Sequence, residues 1–224
     1  MKRNVFALLV VLLLGWAAYA SFFVAPTENT MGVIQRIFYL HMPSAIVAFC
    51  AFLTTFVANL LYVFRRQNRW DWLAVSSAEV GLAFITVVLI TGPIWAHPVW
   101  GIWWTWDARL TSTFVLWLLY VSYLLLRTLI EDPHRRALAS AVYGIFAFLD
   151  VPLVHMSIRW WRTQHPQPVL MGGPGTGLDS QMKIVLLYSF IALLSLMIFL
   201  VRQRYELEAL RGQADALRRE AEAA

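Results

Sequence analysis

The sequence is poor in cysteine and in charge. Its 224 residues include one cysteine, Cys50, and Asp, Glu, Lys and Arg together make up only 14%. A single cysteine excludes an internal disulfide, a C-x-x-C redox pair and a thiolate metal cluster, so any metal chemistry must use histidine. Hydrophobic residues make up 60%, whereas roughly half is usual in water-soluble domains. The composition therefore indicates an integral membrane protein.

The excess of basic residues does not indicate nucleic-acid binding. The formal net charge is +5 and the pI is about 9.7, but Lys and Arg are scattered between apolar runs and form no continuous basic face. The expected partner is the lipid bilayer. A bilayer core about 30 Å thick needs roughly 20 apolar residues per helix. The chain can thus supply six spans, with no room for a large soluble domain.

Six apolar stretches have the length of a membrane span. They lie at 5–25, 43–64, 73–95, 111–130, 137–158 and 182–201. The first is longer than a signal-peptide core of about 7 to 15 residues, so we interpret it as a retained helix. Pro43 is expected in the first turn of the second helix and Pro133 between the fourth and fifth. The predicted fold is an all-α, polytopic bundle of six transmembrane helices.

The domain prediction is a membrane domain over 1–204, with a tryptophan-rich loop at 95–111, followed by a cytoplasmic helical tail over 205–224. In the tail, a stripe of Leu and Ala repeats every three or four residues on a charged helix. Two heptads are too few for a stable coiled coil. The tail is either a solvated continuation of the sixth helix, interrupted by Gly212, or a docking segment for a cytoplasmic subunit.

The distribution of Lys and Arg predicts the orientation, because cytoplasmic loops have an excess of these residues. If the N-terminus is inside, the inside residues are Lys2, Arg3, Arg65, Arg66, Arg69, Arg127, Arg135, Arg136, Arg202, Arg204, Arg211, Arg218 and Arg219. The outside residues are then Arg36, Arg109, Arg159, Arg162 and Lys183. The imbalance favours an N-in, C-in topology, with 26–42, 96–110 and 159–181 facing outward.

The most unusual segment is W-G-I-W-W-T-W-D-A-R-L-T at 100–111, one of the outward-facing loops. Tryptophan is common at membrane interfaces, so an aromatic belt is one explanation. A belt, however, distributes its tryptophans over every helix end. Here four fall within seven residues beside Gly101, which allows close approach of a flat ligand. A concentrated indole surface suits a large planar apolar molecule better than a belt.

Four of the five histidines fall on or near the same outer side: His41, His97, His155 and His165. A neutral imidazole is a common ligand of haem iron, and two from opposite sides could hold the iron over an apolar surface. His41 ends a helical face of apolar residues, and His165 precedes Pro166 in a loop. His97 is an alternative ligand. His155 lies within the fifth span and is either functional or bonded to a neighbouring helix.

These motifs closely resemble the CcmC family, haem exporter protein C of cytochrome c maturation, over nearly the whole chain. The loop at 100–111 is similar to the tryptophan-rich WWD domain of that family. Y-L-H-M-P-S-A at 39–45 and W-W-R-T-Q-H at 160–165 resemble its two outer histidine segments. The resemblance implies that His41 and His165 ligate the iron of a non-covalent, b-type haem. It also implies a haem platform consisting of Trp100, Gly101, Trp103, Trp104, Trp106 and Asp107.

The resemblance further implies a non-catalytic function in the bacterial inner membrane. Such a protein holds haem on the periplasmic side and presents it to the haem chaperone CcmE, with CcmA, CcmB and CcmD as complex subunits. The related CcmF and CcsA-type proteins share the tryptophan loop but have more spans. Two other functions stay open: transport of haem across the membrane, and electron transfer through a bound haem or quinone.

The hypothesis places haem edge-in on the indole surface, with its propionates meeting outer arginines. The available residues are Arg36, Arg109, Arg159 and Arg162, and the sequence does not choose among them. Asp107 could instead cap the fourth helix. Because a haem handler must release its cargo, both histidine ligands are expected on mobile loops. The glycine-rich segment 171–177 lacks the G-K-[ST] of a phosphate loop and is interpreted as a linker or docking loop.

Overall fold

The computed structural model describes residues 2–161, 165 and 178–223, and in this part of the chain it consists of helices and their connections, with no strand. The first helix continues into a π-helical turn, Ala20–Val24, and a 3₁₀ helix, Val33–Ile37, leads directly into the second. The α-helices are α1 Lys2–Tyr19, α2 Phe38–Arg65, α3 Asn68–Trp100, α4 Ala108–Leu129, α5 Pro133–Ala147, α6 Asp150–Trp160 and α7 Ser180–Ala223.

Among the described residues, six helical segments are long and apolar enough to cross a membrane, which confirms the predicted fold. Five of them contain one α-helix each. The remaining segment, Pro133–Trp160, combines α5 and α6, which meet at a local break at Phe148 and Leu149. The helices are separated by short connections, so most of the described chain is available for spans.

The helix ends follow ordinary capping chemistry. The Asp132 carboxylate accepts a hydrogen bond from the Arg135 backbone N–H at 2.7 Å, and Pro133 occupies the first turn of α5. Proline is tolerated there because its missing N–H would have no helical partner. At their C-terminal ends, α2 is capped by Arg66 and α3 by Gly101, and both residues have a left-handed backbone. Glycine adopts this conformation without the penalty of a Cβ.

The core lies between α2, α3 and α4. The rings of Phe52 and Tyr120 stack with centroids 3.7 Å apart, and both side chains are fully buried. Gly81 lets α3 pack closely against Phe52 of α2, because a Cβ at Gly81 would lie 2.6 Å from the Phe52 ring. The antiparallel α2–α3 pair is thereby held close along its length, with the start of α2 beside the end of α3.

Three local predictions were wrong. The second helix begins at Phe38 rather than near Pro43, which lies inside α2, so His41 belongs to a helix and not to a loop. The helix α3 continues through Pro93 and Pro98 to Trp100, which shortens the tryptophan-rich connection to residues 101–107. Gly212 does not interrupt α7. It packs on Trp72, since a Cβ at Gly212 would lie 2.7 Å from that indole.

A polar network joins the helices at the end of the bundle where α2 turns into α3. Arg127 binds both carboxylate oxygens of Asp71, at 2.6 and 2.9 Å. Arg204 of α7 pairs with Glu79 and, at 3.1 Å, with Glu208. The first turns of the predicted tail therefore pack against α3 instead of being fully solvated.

Candidate functional site

A cavity opens at the opposite end of the bundle, where α2 begins and α3 ends, beneath the connection 101–107. Its wall is mostly aliphatic and aromatic, with contributions from α2, α3, α4 and α6. The ionisable side chains in this wall are His41, Asp107, Arg109 and His165. The structure thus brings together two histidines, His41 and His165, that are 124 positions apart in the sequence.

His41 lies in the first turns of α2 and is half-buried. Its Nδ1 is 2.8 Å from the hydroxyl oxygen of Thr91 on α3. Its ring also meets Trp95 edge to face, with centroids 5.9 Å apart. The imidazole is therefore held by two residues of α3 that are one helical turn apart.

His165 lines the same cavity and is half-buried. It follows the exposed pair Trp160 and Trp161, whose rings meet edge to face with centroids 5.8 Å apart. Of its neighbours, residues 162–164 and 166–177, including Arg162 and the glycine-rich segment, lie outside the described part of the chain. The sequence prediction that His41 and His165 share one site agrees with this arrangement, although their metal ligation stays a prediction.

The predicted platform residues divide into two groups. Trp100, Trp103 and Trp104 line the cavity, together with Trp95. Trp106 does not line it: its side chain is 73% exposed and borders a separate surface groove with Phe114 and Trp117. Gly101 ends α3 with φ of 73°, a left-handed conformation that glycine adopts readily, so here it turns the chain out of the helix.

The other two histidines of the predicted outer side, His97 and His155, do not line the cavity and have other surroundings. His97 is exposed and stacks on Trp103, with ring centroids 4.2 Å apart and an interplanar angle of 17°. It therefore braces the tryptophan connection from outside. His155 is exposed on α6 and is absent from the cavity wall, whereas its neighbour Val154 is part of it.

Asp107 and Arg109 occupy the junction between the tryptophan connection and α4. One oxygen of Asp107 accepts hydrogen bonds from the backbone N–H groups of Arg109 and Leu110, at 3.0 and 2.9 Å. The other accepts the Thr105 hydroxyl at 3.1 Å. Asp107 is thus the cap of α4, as the alternative interpretation of the sequence proposed. Arg109, whose backbone N–H is bound by this cap, lines the cavity.

Arg109 is the arginine that the structure brings to the cavity wall. Its side chain forms no ion pair with any carboxylate of the described residues. Arg36 borders a different groove, between α1, α2 and α3, and Arg159 is exposed on α6 away from the wall. The geometry therefore distinguishes among the three of these arginines that the structure describes, while Arg162 lies outside the described residues.

Thr91 is the residue of this site that the sequence analysis did not identify. Its position four residues before Trp95 puts both on one face of α3, and that spacing was a usable signal. The signal was hidden because a threonine inside an apolar span usually bonds its own helix. Thr91 does so too, donating its hydroxyl to the Val87 carbonyl at 2.7 Å.

Comparison with known proteins gives a consistent result. The family model for Heme exporter protein C matches residues 2–220. A Heme exporter protein C of Bradyrhizobium diazoefficiens is 33% identical over 92% of this chain and 78% of its own length. The protein of the same name from Escherichia coli K12 is 32% identical over 88% and 80%. A putative cytochrome c biosynthesis ccmC-like mitochondrial protein of Arabidopsis thaliana is 32% identical over 78% and 65%. The chain belongs to the Heme exporter protein C family.

Proposed function

We propose that this protein holds haem non-covalently at the outer face of the membrane, with the iron between His41 and His165, as a haem-handling subunit of cytochrome c maturation. The observation that carries the proposal is the meeting of both histidines and Arg109 in one apolar, tryptophan-lined cavity. Membership of the Heme exporter protein C family supports the choice of haem as the ligand.

The donor set fits an iron porphyrin better than a free metal ion. Among the described residues, no group of three or more His, Cys, Asp or Glu side chains could hold a metal. A porphyrin supplies four nitrogen ligands itself, so two imidazoles complete the coordination of its iron. The indoles of Trp100 and Trp104 offer a surface for the ring. Arg109 offers a guanidinium for a propionate.

The size of the cavity bears on how haem would sit. The enclosed space is about 90 Å³, smaller than the roughly 300 to 1,000 Å³ of sites that bury a whole ligand. A haem therefore lies partly outside this space or displaces the 101–107 connection. A haem that lies partly outside this space keeps a ring edge accessible, which suits a protein that passes its cargo to another.

The topology of the proposal follows from the even number of spans and the positive-inside rule, whereas its partners are those that the resemblance to the Heme exporter protein C family implies. With both termini in the cytoplasm of a bacterium, the cavity opens on the periplasmic side of the inner membrane. The recipient there is the haem chaperone CcmE, and CcmA, CcmB and CcmD are the complex subunits. The protein binds and releases haem without catalysing a reaction.

Single substitution of the ligands tests the proposal. His41→Ala and His165→Ala should each remove the bis-imidazole absorption bands of the purified, haem-loaded protein, because each leaves the iron with one protein ligand. His97→Ala is the matched control, since His97 is near the cavity but outside its wall. If either ligand variant keeps unchanged bis-imidazole bands, the assignment is wrong.

A transfer assay tests the direction of delivery. Haem-loaded protein is reconstituted in vesicles of known orientation, and apo-CcmE is added outside. Transfer should occur only where the His41 end of the bundle faces the added chaperone. Equal transfer from both orientations would contradict the proposed outer-face site and favour passage of haem through the bundle.

A further inference from the structure

The hydroxyl of Thr91, a residue that does not line the cavity, contacts the ring of His41. The Thr91 oxygen is 2.8 Å from His41 Nδ1 and 2.7 Å from the Val87 carbonyl oxygen. A hydroxyl has one proton to donate, and a carbonyl oxygen can only accept. When the proton points to Val87, the Thr91 oxygen presents a lone pair to His41, and Nδ1 must be the donor.

The same arrangement occurs a few residues earlier on α3, where the donor is unambiguous. The Thr86 hydroxyl donates to the Leu82 carbonyl at 2.7 Å and accepts from the Trp117 indole Nε1 at 2.9 Å. An indole nitrogen can only donate. A threonine of α3 that bonds its own helix therefore also accepts a ring N–H in this fold, as Thr91 does from His41.

We propose that Thr91 is a positioning residue that holds His41 as the Nδ1–H tautomer, with the Nε2 lone pair directed to the cavity. This inference rests on the proposed function, in which His41 is an iron ligand. A neutral imidazole has one N–H, so a proton on Nδ1 leaves Nε2 free to bind metal. Thr91 also occupies the space beside Nδ1, which excludes that nitrogen as the ligand.

Two neighbours of Thr91 restrict rotation of the ring. Trp95 meets the imidazole edge to face at 5.9 Å. A Cβ at Gly92 would lie 3.4 Å from His41 Cε1, so the imidazole occupies the space beside this glycine and a larger residue there would crowd the ring. Three residues within one and a half turns of α3 thus fix the direction of Nε2.

A neutral hydroxyl is a weaker acceptor than a carboxylate, and so raises the basicity of the imidazole less. The bond from His41 to iron is therefore oriented without being made as strong as in sites with a carboxylate partner. This combination suits a ligand that must be released when haem is passed on.

The test compares Thr91→Val, which keeps the shape and removes the hydroxyl, with Thr91→Ser, which keeps the hydroxyl. Loss of an outer-shell partner typically lowers metal affinity about 10- to 100-fold, so Thr91→Val should weaken haem binding by that factor. The midpoint potential of the haem iron in Thr91→Val should become more positive, because a less basic imidazole stabilises ferric iron less. Thr91→Ser should have the haem affinity and the midpoint potential of the wild type. Thr86→Val is the matched control and should behave as wild type.

Each variant is purified in full length and checked for the wild-type elution profile before haem titration. If Thr91→Val matches wild type in affinity and potential, the inference is wrong. It is also wrong if Thr86→Val weakens binding as much, because the hydroxyls would then act through helix packing. Bis-imidazole bands retained in His41→Ala would contradict the proposed function itself, a result separate from either of these.

Discussion

Arg109 gives the most quantitative prediction about the site. Substitution by Gln keeps a polar, hydrogen-bonding side chain but removes the charge that faces the apolar cavity. Opposite charges 4 Å apart attract by about 4 kcal/mol at an effective dielectric constant of about 20. Desolvation of both groups offsets much of this, and a hydrogen bond to a charged group contributes about 1.5 to 3 kcal/mol net.

A loss of that size corresponds to weaker haem binding by about 10- to 100-fold, since 1.4 kcal/mol is about a factor of ten. Titration of purified Arg109→Gln with haem measures the change. Arg159→Gln removes an arginine that is exposed on α6 outside the cavity wall and is the matched control. Arg109→Lys should recover part of the affinity, as a point charge without the bidentate geometry.

Haem dimethyl ester separates propionate pairing from general damage to the site. Its propionates carry no charge, so wild type and Arg109→Gln should bind it with the same affinity. An equal loss of affinity for haem and for its ester in Arg109→Gln would refute the reasoning, because the arginine would then act on the fold of the cavity.

Three further predictions concern the walls of the cavity and the bundle around it. Trp104→Ala should lower the amount of haem retained on gel filtration, whereas Trp106→Ala should retain the wild-type amount, since only the first side chain lines the cavity. Gly144→Ala should lower the thermal midpoint in detergent, because its Cβ would lie 2.2 Å from a buried side chain, and overpacking costs about 1 to 3 kcal/mol. Gly15→Ala, with nothing within 4 Å, should leave that midpoint unchanged. Asp71→Asn should destabilise the bundle by about 3 to 5 kcal/mol, because it leaves a buried arginine without its charge partner; an unchanged thermal midpoint would contradict this.

The spans were predictable from the sequence because they depend on the length and composition of apolar runs, and the structure has six such helices. Their ends were less predictable. Pro43 is usual in a first turn, but the preceding 3₁₀ helix supplies an earlier start for α2. Pro93 and Pro98 likewise do not stop α3. Helix propensity decides such positions less than the packing of the neighbouring helices does.

Topology predicts four histidines near one surface of the membrane, and His41 and His165 are the two of them that line the cavity. The sequence did not distinguish Arg109 from the other outer arginines, and it did not predict the orientation of individual side chains. Trp106 belongs to the same tryptophan-rich motif as Trp104 but does not line the cavity. It directly precedes Asp107, the residue at which the connection ends and α4 begins. Thr91 was missed because its contact with His41 joins two helices across 50 positions of sequence.

The most direct measurement of the central claim is a density map of the haem-loaded protein that is clear enough to show both axial ligands. The account predicts imidazole nitrogens of His41 and His165 on opposite faces of the iron, with the ring edge against the tryptophan connection. Iron held by His97 or His155, or a porphyrin bound away from the cavity beneath residues 101–107, would contradict it.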